Sequence, residues 1–214
     1  KSQSLLWVGW FGFNAGSAVS SGELAATAFV NTNTAAAAAA LGWMGAEWMR
    51  NGKPTMLGGA SGAVAGLVAV TPAAGFVSPM SSIVIGAVSA FPSYFVIRWR
   101  AGTRLDDSLD VFRAHGVGGC MGALLTGVFA TTALNPAGQD GLFYGNPRQV
   151  MVQLIAVLSV FVYSAVMTFV ILKVVQAIAG LRPAADVERR GMDVLAHGEE
   201  GYANGEGAVL ILEK

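Results

Sequence analysis

The sequence has few charged residues. Its 13 Lys and Arg and 13 Asp and Glu make up 12% of 214 residues, and the net charge is zero. A soluble domain carries about 25% charged residues. Without an excess of Lys and Arg the chain has no basic surface for nucleic acid, and its one cysteine, Cys120, excludes a disulfide framework or a cysteine-based metal site. Ordinary soluble, nucleic-acid-binding and disulfide-rich classes are therefore excluded.

Long stretches have no charged side chain at all. They are residues 2–22, 24–46, 54–97 and 149–172, and residues 114–139 contain His115 but no Lys, Arg, Asp or Glu. About 20 apolar residues cross a bilayer core, so the stretch 54–97 is long enough for two spans. The chain is therefore predicted to be an all-α polytopic membrane protein. Six transmembrane helices are expected near residues 4–20, 24–48, 55–73, 79–100, 107–133 and 149–178.

Positively charged residues occur in every second connection between these helices. The segments near 49–54 and 98–106 carry Arg50, Lys53, Arg98, Arg100 and Arg104, and the other connections carry almost none. Because positive loops face the cytoplasm, both chain ends are expected inside. Residues 1–178 are then the transmembrane region. Residues 179–214 form a charged cytoplasmic tail, which closes with the short apolar run "GAVLILEK".

Small residues recur at helical spacing. Gly58, Gly62 and Gly66 are four residues apart, as are Gly118 and Gly122, and residues 35–40 are all alanine. Small side chains let helix backbones approach each other in lipid, where the hydrophobic effect offers little attraction between helices. The pattern predicts a tightly packed bundle and indicates no particular function.

Two features could carry function. Trp10, Phe13 and Ser17 share one face of the first helix, and their rings could line an apolar passage and attract a cation, or simply pack on neighbouring helices. His115 lies within the fifth span, where ionisable groups are costly and usually face a cavity or a partner, with Gly116, Gly118 and Gly119 beside it. It could relay a proton or bond across helices.

Other chemistry is not indicated. Asp106, Asp107 and Asp110 stand at the start of the fifth helix, where capping is the ordinary explanation. The sequence has no phosphate loop, nucleophile elbow or zinc-ligand spacing. We therefore expect neither an enzyme nor a metal or cofactor site.

Five stretches together resemble the ammonium transporter family (Amt/Mep/Rh), on its Amt branch. They are "WVGWFGFNAGSA", "NTNTAAAAAALGWMGAEW", "GKPTMLGGASGAVAGLVAVTPAAGFV", "DDSLDVFRAHGVGG" and "GLRPAADVERRGMDVLAHGEEGY", in the family's order across roughly residues 5–204. The resemblance implies helices six to eleven of an eleven-helix fold. These are the second five-helix inverted repeat, the last helix and the cytoplasmic tail. It also implies a homotrimer with one pore per subunit.

The resemblance also implies roles for single residues. Phe13 matches the second phenylalanine of a stacked gate, and Ser17 the hydroxyl of an outer cation recruitment site. Trp10 and Val111 match the apolar pore lining, and His115 matches the second of two pore histidines. The chain would then transport ammonium or ammonia through a narrow hydrophobic pore in the plasma or inner membrane.

The resemblance further implies binding partners, and it leaves alternative functions open. Membrane lipid and a P-II signalling protein at the cytoplasmic face are candidate partners. Two departures from the family pattern are Arg113, where a small residue is expected, and Met192, where leucine is usual. The first repeat is absent, so the chain is either a C-terminal fragment or a natural truncation. The alternative functions are an ammonium sensor that signals through its tail and a remnant that does not transport.

The charge pattern makes a topology prediction. Reporters fused after residue 75 and after residue 102 should lie on opposite sides of the membrane, the first outside and the second in the cytoplasm, because the positive loops share one side. Alkaline phosphatase activity, which requires export, measures the difference. The same compartment for both fusions would contradict the six-helix topology.

Overall fold

A computed structural model describes residues 2–101, 103, 107, 111–199 and 201, which contain helices but no strand. The α-helices are α1 Ser2–Gly16, α2 Glu23–Asn51, α3 Met56–Val70, α4 Pro79–Ala101, α5 Gly118–Phe129, α6 Arg148–Ile178 and α7 Ala185–Arg190. Single turns of other helix types are the π-helical segment Phe112–Val117 before α5, the 3₁₀ turn Leu142–Tyr144 and the π-helical segment Asp193–His197. The chain divides into two compact units, Lys1–Ser159 and Val160–Lys214.

A helix stands at each of the six predicted spans. Three are long and apolar enough to cross a membrane by themselves, namely Glu23–Asn51, Pro79–Val96 and Arg148–Ile178, and Met56–Val70 and Ala114–Phe129 are shorter apolar helices. The all-α membrane class is confirmed, while the crossing of each of the six helices stays a prediction. Arg104, Asp106, Asp110 and the run "GAVLILEK" lie outside the described residues.

A buried carboxylate fixes the connection between α2 and α3. Gly52 ends α2 in the left-handed region, with φ 74°. Thr55 then caps α3, because its hydroxyl oxygen accepts from the backbone N–H of Gly58 at 2.9 Å. Glu47, which is 9% exposed, accepts from the backbone N–H of Thr55 at 2.7 Å. A carboxylate at a helix N-terminus is stabilised by the partial positive charge there, so the connection is held at both ends.

The turn between α3 and α4 is held from α2. Asn31 is fully buried, and its amide nitrogen donates to the carbonyls of Ala74 at 2.8 Å and Val77 at 2.7 Å. Residues 71–77 form this turn. The role of Asn31 was not predicted. Because an unpaired carbonyl in an apolar interior is costly, this side chain is the reason that the turn can be buried.

Glycine permits the close helix contacts. A Cβ atom at Gly66 of α3 would lie 2.5 Å from the carbonyl oxygen of Ala35 on α2, and one at Gly86 of α4 would overlap the same oxygen. One at Gly122 of α5 would overlap the carbonyl of Ala69. The predicted packing through the glycine repeats is confirmed for Gly66 and Gly122. Gly86 belongs to no repeat.

Hydrogen bonds also join the segment after α5 to the α3–α4 turn. The backbone N–H of Thr131, just after α5, donates to the carbonyl of Phe76 in the α3–α4 turn at 2.9 Å. Asp140 accepts from the backbone N–H of Thr132 at 2.7 Å, and this bond holds the pKa of Asp140 below its usual value. The carboxylate therefore stays ionised and keeps the segment after α5 folded against itself at neutral pH.

Two sets of hydrogen bonds connect nearby residues of the described tail. The guanidinium of Arg182 donates to both carboxylate oxygens of Glu188, at 2.9 and 2.6 Å, which lowers the pKa of Glu188. Asp193 accepts from the backbone N–H of Gly201 at 2.9 Å, and its pKa is lowered chiefly by that bond. These hydrogen bonds therefore fold the described tail locally, so that it is not fully extended. Its assignment to the cytoplasm as residues 179–214 stays a prediction.

The close contact at Gly122 makes a stability prediction. Gly122→Ala should destabilise the bundle by about 1–3 kcal/mol, the usual cost of overpacking, because the new methyl group would force α3 and α5 apart. Gly45→Ala is the matched control. A Cβ there meets no atom within 4 Å, and alanine favours the helix. Unfolding of the detergent-solubilised protein measures both, and equal stability of the two variants would contradict the packing.

Candidate functional site

One face of α1 carries the predicted aromatic stripe. The rings of Trp10 and Phe13 meet edge to face, with centroids 6.0 Å apart. Ser17 follows the last residue of α1, and its hydroxyl donates to the carbonyl of Phe13 at 2.5 Å. Because this bond joins residues four apart, it continues the helical turn past the end of the helix. The three side chains therefore lie on one face, as their spacing predicts.

His115 meets this stripe from another part of the chain. Its ring is stacked on that of Trp10, with centroids 6.3 Å apart and an angle of 23° between the planes. It lies in the π-helical segment Phe112–Val117. Such a turn holds one residue more than an α-helical turn and occurs often at functional sites. The imidazole is exposed, so the stack leaves it open to a small guest.

These residues line a groove of about 860 Å³. Its wall is mostly apolar, with three polar groups: the indole N–H of Trp10, the hydroxyl of Thr71 and the imidazole of His115. Phe13 stands at the groove with 60% of its surface exposed. Among these groups only the imidazole has a ring nitrogen that can both accept and donate a proton. The groove therefore combines an apolar surface with a single proton-exchanging side chain.

Thr71 is the polar lining residue that sequence reasoning missed. The other lining residues that were not predicted are apolar: Leu5, Leu6, Gly9, Val68 and Pro72. Its hydroxyl oxygen accepts from the indole N–H of Trp10 at 2.8 Å and donates to the carbonyl of Leu67 at 2.7 Å. In the sequence Thr71 stands directly before Pro72, which is typical of a turn rather than of a lining residue. A threonine at the end of an apolar helix commonly bonds its own helix backbone, so no local signal reveals its distant partner.

Other predicted site residues lie elsewhere. Val111 is 51% exposed, and neither it nor Ser17 lines the groove. The backbone N–H of Val111 donates to Asp107 at 2.8 Å, as the capping explanation for Asp107 predicts. The side chain of Arg113 lies outside the described part of the structure.

The glycines around His115 differ in what they touch. Gly119 lines the groove and so leaves the expected room beside the imidazole. A Cβ at Gly118 would lie 3.4 Å from the side chain of Val68 on α3, and one at Gly116 would lie 3.1 Å from the ring of Phe112. Only Gly119 therefore provides space for a guest, and the other two provide space for packing.

Known proteins resemble the chain over nearly all of its length. A family model described as Ammonium Transporter Family matches residues 3–202. The ammonium transporter of Bacillus subtilis (strain 168) is 49% identical over 202 residues, which are 93% of this chain and 50% of that protein. The crystal structure of Saccharomyces cerevisiae Mep2 superposes with a TM-score of 0.81 at 35% identity, over 94% of this chain and 44% of that one.

A structure titled "Sensor Amt Protein" also superposes with a TM-score of 0.81, at 26% identity, over 90% of this chain and 47% of that one. The chain thus spans about half the length of the curated relatives it matches. The family model covers most of the sequence, and the helices superpose on solved members in the same order. The chain belongs to the ammonium transporter family.

Proposed function

We propose that the chain forms one wall of a transmembrane path for ammonium or ammonia, as the C-terminal half of a transporter subunit. The observation that carries the proposal is the stack of Trp10 on His115 in an apolar groove, with Phe13 at its edge. Two aromatic rings narrow the groove, and the imidazole supplies a side chain that can both accept and donate a proton. That combination suits a substrate which exists as both a cation and a neutral base.

The outer end of the stripe suits the cation. The hydroxyl hydrogen of Ser17 is committed to the carbonyl of Phe13, so its oxygen presents only lone pairs to solvent. Ammonium has hydrogen-bond donors and no acceptor, and it can place these donors on such an oxygen. The exposed face of the Phe13 ring lies one turn away and attracts a cation through its quadrupole. Ser17 and Phe13 therefore form part of the recruitment site and its gate.

The inner part of the path suits the neutral form. Moving a bare cation into a low-dielectric groove costs many kcal/mol, whereas ammonia carries no net charge. Ammonium can transfer one proton to an imidazole nitrogen of neutral His115 and move on as ammonia, and the resulting imidazolium can return that proton to ammonia or water further along the path. Potassium has no proton to lose and cannot donate hydrogen bonds, so the same groove rejects it. Val111, four residues before His115, does not line this groove, and we assign it to the apolar lining beyond the groove because its side chain is 51% exposed.

We also propose a setting for the path, which membership of the family supports. The proposed protein is a multi-pass homotrimer in the plasma or inner membrane, surrounded by lipid, with a cytoplasmic C-terminus to which a P-II signalling protein binds. The relative with 49% identity is named as an ammonium transporter, and the sensor structure is 26% identical. Transport is therefore the preferred function, and sensing by the same fold is the second candidate.

His115→Asn tests the path. Asparagine keeps polarity but cannot exchange a proton near neutral pH. Expressed in the full reading frame that contains the chain, the variant should still assemble, while ammonium current or its discrimination against potassium changes at least tenfold, as for a lost general acid–base group. If the ring only bonded across helices, the main effect would be a stability loss of about 1 kcal/mol. Normal, selective current in a well-assembled variant would contradict the role of His115.

Deletion of residues 182–214 tests the role of the tail. The deletion removes the Arg182–Glu188 and Asp193–Gly201 hydrogen bonds, and none of these residues lines the groove, so insertion should be unchanged. Flux should fall or lose its response to nitrogen status, measured as methylammonium uptake in cells grown on rich and poor nitrogen. Unchanged uptake and an unchanged response would contradict a regulatory tail. Loss of nitrogen signalling in a protein without flux would favour the sensor.

A further inference from the structure

We infer that Thr71 is a positioning residue for the path, which holds the indole of Trp10 flat against His115 and takes its N–H out of the groove. The inference rests on the proposed function, because it assumes that Trp10 and His115 line the route of the substrate. The sequence pattern of α1 and the predicted pore residues do not include Thr71, which lies 61 residues from Trp10.

The direction of each hydrogen bond is fixed. A threonine hydroxyl has one hydrogen and two lone pairs, and an indole N–H is a donor only. The hydrogen of Thr71 points at the carbonyl of Leu67, 2.7 Å away, so its oxygen must act as the acceptor for Trp10, at 2.8 Å. The hydroxyl is thereby oriented by the last turn of α3 before it meets the indole, and it needs no rearrangement to receive the N–H.

This bond fixes the plane of the indole ring. One edge of the ring is held by Thr71, its face lies at 23° to the imidazole, and the ring of Phe13 stands at 75° to it. Trp10 is only partly buried, so packing alone leaves it room to turn. Any rotation that separates the indole from His115 also breaks the bond to Thr71 and leaves a polar N–H facing apolar side chains, which is unfavourable.

The same bond determines which part of the indole the substrate contacts. A free indole N–H would donate to the lone pair of ammonia and retain it, and it would repel ammonium, which also has only donors. With the N–H engaged by Thr71, the indole presents its π face to the groove. Loss of the Thr71 hydroxyl should therefore slow the passage of ammonia, because ammonia is retained at the exposed indole N–H. It should also let the indole ring that faces His115 move more freely.

Thr71→Val is the central test, because valine has the shape of threonine without the hydroxyl. In the full reading frame that contains the chain, it should reduce ammonium current about fivefold, the equivalent of one hydrogen bond, and raise the ratio of methylammonium to ammonium flux. Thr71→Ser should restore the wild-type ratio. The matched control is Thr126→Val, since Thr126 donates to the carbonyl of Gly122 at 2.8 Å in the same helical geometry, away from the groove.

A double-mutant cycle separates positioning from a general effect of Thr71. Trp10→Phe keeps an aromatic ring but has no N–H. If Thr71 acts through the indole, T71V should cause no further loss of flux when it is added to W10F. A fivefold loss in both backgrounds would overturn the inference, as would a T71V variant with the current and the ratio of the wild type.

A readout that does not depend on transport completes the test. In protein labelled with 5-fluorotryptophan, the ¹⁹F resonance that is absent from W10F belongs to Trp10. T71V should shift this resonance, whereas T71S and T126V should not, and an unshifted resonance in T71V would overturn the inference. Should T71V fail to assemble, T71A with T126A as its control takes its place. A wild-type protein without flux would refute the proposed function, while the resonance would still test the bond.

Discussion

The structure depends on how closely three helix backbones approach one another at Ala35. Its carbonyl lies against Gly66 of α3 and Gly86 of α4, where no Cβ could be placed. Helices in lipid gain little from the hydrophobic effect and are held by such contacts between small residues. With α3 fixed on α2, its last turn carries Thr71 to the groove, and its contact with Gly122 aligns the helix that follows His115. The stack of Trp10 on His115 is thus a consequence of backbone packing.

The sequence allowed us to predict where the helices lie and which residues share one face of a helix, because both depend on local patterns. Stretches without charge located the helices, since an unpaired charge in the bilayer is costly. Helical spacing placed Trp10, Phe13 and Ser17 on one face, and the glycine repeats identified the contacts of Gly66 and Gly122. Of the residues that line the groove, the sequence identified Trp10, Phe13, His115 and Gly119, but not Thr71 or the apolar residues around them. Ser17 and Val111, which were also predicted, do not line it.

What could not be predicted depends on contacts between distant residues. Asn31 bonds carbonyls 43 and 46 residues away, and Thr71 accepts from an indole 61 residues away. Each is a single polar residue without a periodic partner, so no spacing indicates it. Gly86 belongs to no repeat, although it makes one of the closest contacts. The π-helical segment that carries His115 also has no signature in the sequence, because it reflects one additional residue accommodated by tertiary packing.

Two tryptophans show why Trp10 requires a hydrogen bond to hold its orientation. Trp43 is 2% exposed and meets the ring of Tyr94 edge to face at 5.4 Å, and its indole N–H donates to Glu47 at 3.3 Å, so close packing on every side adds to its hydrogen bond. Trp10 faces an open groove beside the exposed imidazole of His115, so side chains do not fill that side of its ring. The orientation of Trp10 therefore depends more on a directional contact at its edge. The hydroxyl of Thr71 supplies that contact and leaves the face of the ring free.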